Sequence, residues 1–474
     1  MGRTSRHRPP GDTSALNRGN TRSEPWLSHV HFVDDPAWAD ATAGEVVAAV
    51  RSDEILSVVL LPGRHRGGPA REGARHSPDP CSPHHRDRHR GAHRHCRYGV
   101  VSPAFHDAAR GSHGSTEGMD MATITVDVAV PDVLRPVVDV AALPGALGDA
   151  GPAWLVLSED GRLARWTPTT GEVQDVARYR EERLGSEYGD GVRLRLHVSR
   201  CGRWAAVVQD RGRYGTVVDL ATGSPALKLD GGDYCCETVP FALAFAEHGG
   251  RPVVVHRTDW NRLDVTDLAS GEVLTARDSP DRDEEDAEYD LDYFHGALSL
   301  SPDGTRVYDG GWVWQPWGMP AVWSLTAWLH DNPYESEGGP SYAVYPEVSG
   351  WNWPVVWIDD GRIAVYDRDD AGSGTVHVLD PTSIELRSSG VRWIRAVATF
   401  RWPVGDFGFF TDGEHLLIAD EASLQGVDVT SGQQVFAIDG FRPARQDRHT
   451  GTLIQVGSAD ARLWTPPKWT ARAG

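Results

Sequence analysis

Tryptophan is concentrated in one stretch of the chain. Eight tryptophans fall within 46 residues, and the segments GGWVWQPWG and GWNWPVVW hold six of them. Tryptophan offers a large amphipathic contact area, so it is favoured at protein-interaction hot spots and in sites for sugars or cations. We therefore predict a binding surface that contains Trp312, Trp314, Trp317, Trp351 and Trp353.

The same rings have an alternative role as packing between sheets, where bulky side chains fill space. Trp312 and Trp314 are two residues apart and would lie on one face of a strand. Trp317 and Trp353 stand in loop sequence beside Pro and Gly, so they are the better candidates for an exposed surface. Tyr334 lies between the two tryptophan-rich segments, and we include it in the predicted site as a polar contact.

A dense run of carboxylates occupies residues 278–292 (DSPDRDEEDAEYDLD). Carboxylate oxygens suit Ca²⁺, but the run lacks the Gly and the closing Glu of an EF-hand loop. Such a run is typical of a solvated linker between repeats, which is the interpretation we prefer.

Signatures of catalysis are missing from the sequence. It contains no GxSxG, HExxH or Walker motif, and its five cysteines include no CxxC pair. Nothing marks a nucleophile or a pair of catalytic carboxylates. We therefore predict that the protein is not an enzyme and that it has no cofactor and no metal site.

The elements that must position the tryptophans have the sequence pattern of β-hairpins. The segment GALSLSPDGTRVY, which begins at Gly296, places Pro-Asp-Gly between two runs of strand-like composition. Glycine adopts the positive φ that a tight hairpin turn requires. Turns of this kind recur at Gly161, Gly202, Gly249, Gly304, Gly361 and Gly413, at steps of 41, 47, 55, 57 and 52 residues.

A second turn follows most of these glycines. It is predicted at Thr170-Gly171, Thr222-Gly223, Ser270-Gly271, Pro381-Thr382-Ser383 and Ser431-Gly432. Each repeat is then a four-stranded antiparallel meander. Meanders with a period of this size bury both their faces when they stack radially around an axis.

Three short segments suggest a family. SPDGTRV (301–307), GRLARW (161–166) and DARLW (460–464) resemble motifs of the WD40 and YVTN-like β-propeller superfamily. The resemblance covers residues 122–469, although no Gly-His dipeptide opens a repeat and no Trp-Asp dipeptide closes one. It implies a propeller with degenerate repeats and a role as an interaction platform, and it transfers no catalytic residue.

We predict an all-β fold, a β-propeller with seven four-stranded blades, and six or eight blades are the alternatives. The N-terminal strand TITVDVAV (123–130) has no neighbour in the repeat pattern, and the last repeat is incomplete. Pairing of that strand with the last strands of the chain would complete the final blade and close the ring.

The predicted function is a non-catalytic module that binds a protein or peptide partner through loops on one face. The alternative is a propeller that binds a small ligand or a sugar, or a metal-dependent propeller hydrolase or lactonase. In the metal-dependent case, a histidine on an inner strand, such as His295, would hold the ion on the axis.

Residues 1–120 differ from the remainder. Residues 1–118 hold 12 of the 20 histidines, and residues 62–97 are dense in Arg, His, Gly and Pro. Such a composition does not bury enough apolar surface to fold. We predict a disordered tail or a non-native upstream extension at 1–120 and the propeller domain at 121–474.

The charge balance limits the choice of partner. The net charge is −20, and residues 1–118 contribute only 16 basic and 13 acidic residues, so the acidic excess lies in the predicted domain. An acidic body repels nucleic acid and anionic lipid, and we expect neither as a partner. No apolar run reaches the roughly 18 residues of a membrane helix, and the N-terminal residues lack a signal-peptide core. We therefore expect a cytoplasmic monomer.

Overall fold

The computed structural model describes residues 125–144, 152–180, 192–277, 293–313, 317–346, 348, 350–368, 373–387 and 390–467. The predicted tail at 1–120, the acidic run at 278–292 and Trp314 lie outside these residues. Within them no helix is both long enough and apolar enough to cross a bilayer.

The first half of the described chain consists of strands separated by short turns. In chain order these strands are β1 (Val126–Ala129), β2 (Val137–Leu143), β3 (Ala153–Ser158), β4 (Arg162–Thr167), β5 (Glu172–Arg178), β6 (Arg193–Val198), β7 (Trp204–Asp210), β8 (Tyr214–Asp219), β9 (Ser224–Asp230), β10 (Leu243–His248), β11 (Arg251–Asp259) and β12 (Arg262–Asp267).

The second half continues in the same way, with one short helix. Its elements are β13 (Tyr293–Phe294), β14 (Leu298–Leu300), β15 (Arg306–Asp309), β16 (Trp312–Val313), β17 (Trp317–Gly318), β18 (Ala321–Ser324), α1 (Leu325–His330), β19 (Ala343–Val344), β20 (Val355–Asp359), β21 (Arg362–Arg368), β22 (Gly374–Leu386), β23 (Arg392–Trp402), β24 (Gly408–Thr411), β25 (His415–Ala419), β26 (Ser423–Asp428), β27 (Gln434–Asp439), β28 (Arg445–Gln446), β29 (Leu453–Val456) and β30 (Asp460–Trp464). Single 3-10 turns cover Asp132–Leu134, Cys236–Thr238 and Glu335–Glu337.

Most strands pair with their neighbours in the chain. Four-stranded sheets form from β2–β5, β6–β9 and β24–β27, and a three-stranded sheet forms from β10–β12. An eight-stranded sheet contains two meanders, β14-β15-β18-β19 and β20–β23, which a single parallel pairing of β19 with β23 joins. The short strands β13, β16 and β17 form a small sheet of their own.

Burial differs from strand to strand within each sheet in the way a stack of sheets requires. Every residue of β3 and of β7 is buried, because these strands lie between packed sheets and are apolar on both sides. The fourth strands, β5 and β9, are mostly exposed and carry polar residues. In these two meanders the sequence therefore changes from apolar to polar between the second and the fourth strand.

The first strands of the meanders lie side by side in a ring. Each contacts the next: β2 with β6, β6 with β10, β10 with β14, β14 with β20, and β20 with β24. The side chain of Gln446 in β28 donates a hydrogen bond to the carbonyl of Thr411 in β24, and β28 contacts β2. These contacts return to the starting strand, which defines a β-propeller.

The predicted closure of the ring is confirmed. Strand β1 pairs antiparallel with β30, with Val128 opposite Ala461, so the N-terminal strand completes the sheet of the last three strands. Val128 also packs against the cluster of Trp154, Trp166 and Ile454 that joins this sheet to the β2–β5 sheet.

The predicted hairpin at Pro302-Asp303-Gly304 is confirmed, with Leu300 opposite Val307 and Gly304 at φ 74°. The predicted turn at Pro381-Thr382-Ser383 is wrong. These residues lie inside β22, in a bulge between Asp380 and Ile384, and the strand continues to Leu386.

The number of blades stays a prediction, because one sheet has three strands and another joins two meanders.

The propeller has two faces that the topology distinguishes. We call the edge that carries the first turn of each meander, such as the turn at Gly304, the hairpin face. The opposite edge carries the turns between second and third strands and the connections between sheets, and we call it the connection face. Trp312 and Trp317 lie between β15 and β18, and Trp351 and Trp353 lie between β19 and β20, so all four belong to the connection face.

Candidate binding surface

A row of stacked rings occupies the connection face. Phe294 in β13 is paired directly with Trp312 in β16, and their rings stack at 4.1 Å with an angle of 7°. The other side of Trp312 stacks on Trp351 at 4.9 Å with an angle of 22°. The prediction had grouped Trp312 with Trp351, and the structure places them in contact.

Two further rings extend this row. Trp260, in the turn between β11 and β12, lies 4.6 Å from Phe294, and Tyr234 lies 5.3 Å from Trp260. We call Tyr234, Trp260, Phe294, Trp312 and Trp351 the aromatic row. The sequence prediction missed Tyr234, Trp260 and Phe294, because they come from connections far from the tryptophan-rich segments.

Hydrogen bonds join the connection that carries Trp351 to the connection that carries Tyr234. The indole N–H of Trp351 and the side-chain amide of Asn352 both donate to the carbonyl of Thr238, at 3.1 and 2.9 Å. Thr238 belongs to the connection between β9 and β10, whereas Trp351 belongs to the connection between β19 and β20. The strands β10–β12 and β14–β19 lie between these connections in the chain, so their contact spans the connection face.

An ion pair supports the segment that presents Tyr234. The guanidinium of Arg213 donates two hydrogen bonds to the carboxylate of Asp230, at 2.6 and 2.8 Å. Hydrogen bonding from Arg213 holds the pKa of Asp230 below its ordinary value. Asp230 is the last residue of β9 and directly precedes residues 231–242, the connection that carries Tyr234.

Exposure is unequal along the row. Phe294 and Trp312 are buried, at 2% and 3% exposed, and they form its foundation. Trp260 and Trp351 are half-buried, and Tyr234 is 36% exposed. The row therefore presents ring surface at three positions over a rigid base, which suits contact with an apolar or aromatic side chain of a partner.

The remaining predicted residues lie outside the row. Trp317 is half-buried, packs against a core cluster, and donates its indole N–H to the carbonyl of Pro346 at 3.3 Å. Trp353 is half-buried and lies 5.6 Å from the ring of Tyr366 in an edge-to-face contact. Tyr334 follows helix α1, and the guanidinium of Arg277 lies 5.8 Å from its ring. The structure therefore does not bring Tyr334 into the row with Trp351.

A small cavity is lined by residues at the Trp351 end of the row. Trp351, Asn352, Trp353 and Tyr308 contribute to its walls, and its volume is about 20 Å³. Space of this size holds about one water molecule, whereas sites for small organic ligands measure roughly 300–1,000 Å³. This cavity is therefore too small for a sugar.

The metal-dependent alternative would place His295 on the axis as a ligand. In the structure, His295 is paired with a buried carboxylate instead. It is fully buried, and its Nδ1 lies 2.6 Å from the carboxylate of Asp309, which is also fully buried. Asp309 in turn accepts a hydrogen bond from the backbone N–H of Gly296 at 2.9 Å. This closed arrangement ties the start of β14 to the end of β15. Among the described residues, no three His, Cys, Asp or Glu side chains come together as a metal site.

The ring of meanders is a β-propeller, which is the fold that the resemblance implied. No protein-family model matches the sequence, and no curated protein matches it. Among solved structures, the β-propeller domain of Cps50 (Swd1) from Myceliophteria thermophila is 12% identical, with a TM-score of 0.47, over 72% of this chain and 100% of that domain. A chain of the mitotic checkpoint complex is 10% identical, with a TM-score of 0.45, over 77% of this chain and 99% of that one.

Proposed function

We propose that the protein is a non-catalytic interaction module that binds a protein or peptide partner through its connection face. The observation that carries the proposal is the aromatic row, in which connections from different sheets place five rings side by side. Exposed aromatic surface over a packed base is typical of interaction hot spots, since little side-chain entropy is lost when a partner binds.

The anchor of this site differs in part from the one that the sequence predicted. Trp351 remains in it, and Tyr234 and Trp260 join it because they carry the accessible ring surface. Trp312 supports the row from below. Trp317 and Trp353 contribute mainly to packing, so a change at either would alter the fold as well as the surface.

A crosslinking experiment tests the proposal directly. Tyr234 is replaced by the photoreactive amino acid p-benzoylphenylalanine, which keeps a ring at the most exposed position of the row. The control places the same amino acid at Val435, which is 56% exposed on β27, the outermost strand of another sheet. We expect a defined protein adduct from position 234 and none of the same mass from position 435.

The identified partner is then used to measure affinity. Loss of a hot-spot ring costs about 2 kcal/mol or more, so Tyr234→Ser and Trp260→Ser should each weaken binding by about 30-fold. Val435→Ser should leave the affinity unchanged. Equal affinities for all three variants, or identical adducts from positions 234 and 435, would show that the connection face is not the binding site.

A further inference from the structure

Two histidine rings from different sheets meet on the hairpin face. His248 is the last residue of β10, at the turn to β11, and it is half-buried. His330 is the last residue of helix α1, beyond β18, and it is exposed. Their ring centroids lie 4.8 Å apart, and the ring planes are inclined at 54°.

We propose that His248 and His330 form a two-histidine site for a divalent transition-metal ion, with water completing the coordination. The site is on the face opposite the aromatic row and is independent of the proposed function. Sequence patterns gave no sign of it, because the two histidines belong to different repeats and follow no ligand spacing.

The separation of the rings fits this role. An imidazole nitrogen binds zinc at about 2.0–2.1 Å. Two imidazoles that bind one ion at an angle between square and tetrahedral have ring centroids about 4.5–5.2 Å apart, from the same bond length and the size of the ring. The observed separation of 4.8 Å lies inside this interval.

Neither ring is committed to another partner in the described part of the chain. The contact between the two rings is the one interaction found for His330, and His248 likewise makes no hydrogen bond or ion pair there. Histidines that are structural usually donate or accept hydrogen bonds, as His295 does with Asp309 at 2.6 Å. Among the described residues, no side chain therefore occupies the ring nitrogens of His248 and His330.

The electrostatic surroundings favour the neutral form that binds metals. Partial burial lowers the pKa of His248, and the neighbouring His330 and Arg251 lower it further, whereas Asp267 acts in the opposite direction. A neutral imidazole presents a lone pair to the ion, whereas a protonated imidazole does not. Acidification should release the ion.

The residue types indicate the class of ion. Imidazole prefers Zn²⁺, Cu²⁺ and Ni²⁺, whereas Mg²⁺ and Ca²⁺ prefer oxygen ligands. Two protein ligands leave several coordination positions open, so binding should be weaker than at a closed structural zinc site.

Thermal unfolding of the full chain with Zn²⁺ tests the site. The two ligands come from elements of different sheets, so an ion that bridges them binds only the folded protein and raises its Tm. We expect a rise on the order of 2 °C with Zn²⁺, no rise with Mg²⁺, and loss of the rise below about pH 5.5. The stoichiometry of bound zinc is not informative, because residues 1–118 contain 12 further histidines.

Three variants decide the outcome. His248→Asn and His330→Asn should each abolish the rise, whereas His449→Asn, a change at an exposed histidine in the turn between β28 and β29, should retain it. A rise that persists in His330→Asn, or the absence of a rise in the unmodified protein, would overturn the proposal.

Discussion

At the scale of single residues, Trp312 supports a surface whose exposed rings belong to other residues. It is 3% exposed and is held between the rings of Phe294 and Trp351. Trp312→Ala should lower the free energy of unfolding by about 3–5 kcal/mol, because it leaves a large cavity. Tyr234→Ala removes a ring that is 36% exposed and should cost on the order of 1 kcal/mol. Urea unfolding measures both values, and similar losses in the two variants would contradict this division of roles.

The buried side chain of His197 makes the free energy of unfolding depend on pH. Burial of its ring, with the nearby charges of Arg195 and Arg445, lowers its pKa from 6.5 to about 3. His197 takes up a proton near pH 6.5 in the unfolded chain but not in the folded protein. The contribution of neutral His197 to stability is therefore fully present above pH 6.5 and is lost as the pH falls. Between pH 6.5 and pH 5 the loss should reach about 2 kcal/mol.

A glutamine variant isolates this effect. His197→Gln removes the titrating group, so its unfolding free energy should change less between pH 7 and pH 5 than that of the unmodified protein. Identical pH slopes for the two proteins would show that burial does not lower the pKa of His197 in the folded state.

At the scale of elements, the turns show what a sequence can predict. The turn at Gly304 was predictable because its φ is 74°, and glycine next to Asp is a local sequence signal for such a positive φ. The end of β22 could not be predicted in this way. Pro381 and Thr382 have turn propensity, but they lie in a bulge, and the pairing of β22 with β23 resumes at Ile384. The aromatic row was only half predictable, because its connections approach each other through the packing of several sheets.

Two glycines in equivalent turns provide a prediction at this scale. Gly171 and Gly432 have φ of 71° and 69°, so alanine at either position would adopt a left-handed conformation, which is unfavourable for a residue with a Cβ. A Cβ at position 171 would meet nothing within 4 Å, whereas one at position 432 would lie 2.4 Å from the ring of Phe400. Gly171→Ala should therefore cost about 1 kcal/mol and Gly432→Ala about 2–4 kcal/mol, because the ring must also move. Equal midpoints in urea for the two variants would contradict the close approach of Phe400.

At the scale of the whole molecule, the ring has no free end because β1 and β30 share one sheet. Each sheet buries its faces against two neighbours, so opening the ring at one place exposes apolar surface on both sides. Loss of the closing strand should therefore destabilise the entire ring. An open stack of repeats would instead fray from its ends.

Two aspartate variants of the closing strand test this coupling. Val128 packs into the cluster that joins the last sheet to the first, whereas Val126, on the same strand, is 49% exposed. Val128 is half-buried, so a carboxylate there replaces packed apolar surface. Val128→Asp should lower the free energy of unfolding by about 2 kcal/mol and Val126→Asp by less than about 1 kcal/mol. In Val128→Asp, circular dichroism and tryptophan fluorescence should show the same lowered midpoint, since the sheets unfold together. A midpoint that falls by one probe and not by the other would mean that the closing strand can detach while the rest of the propeller stays folded.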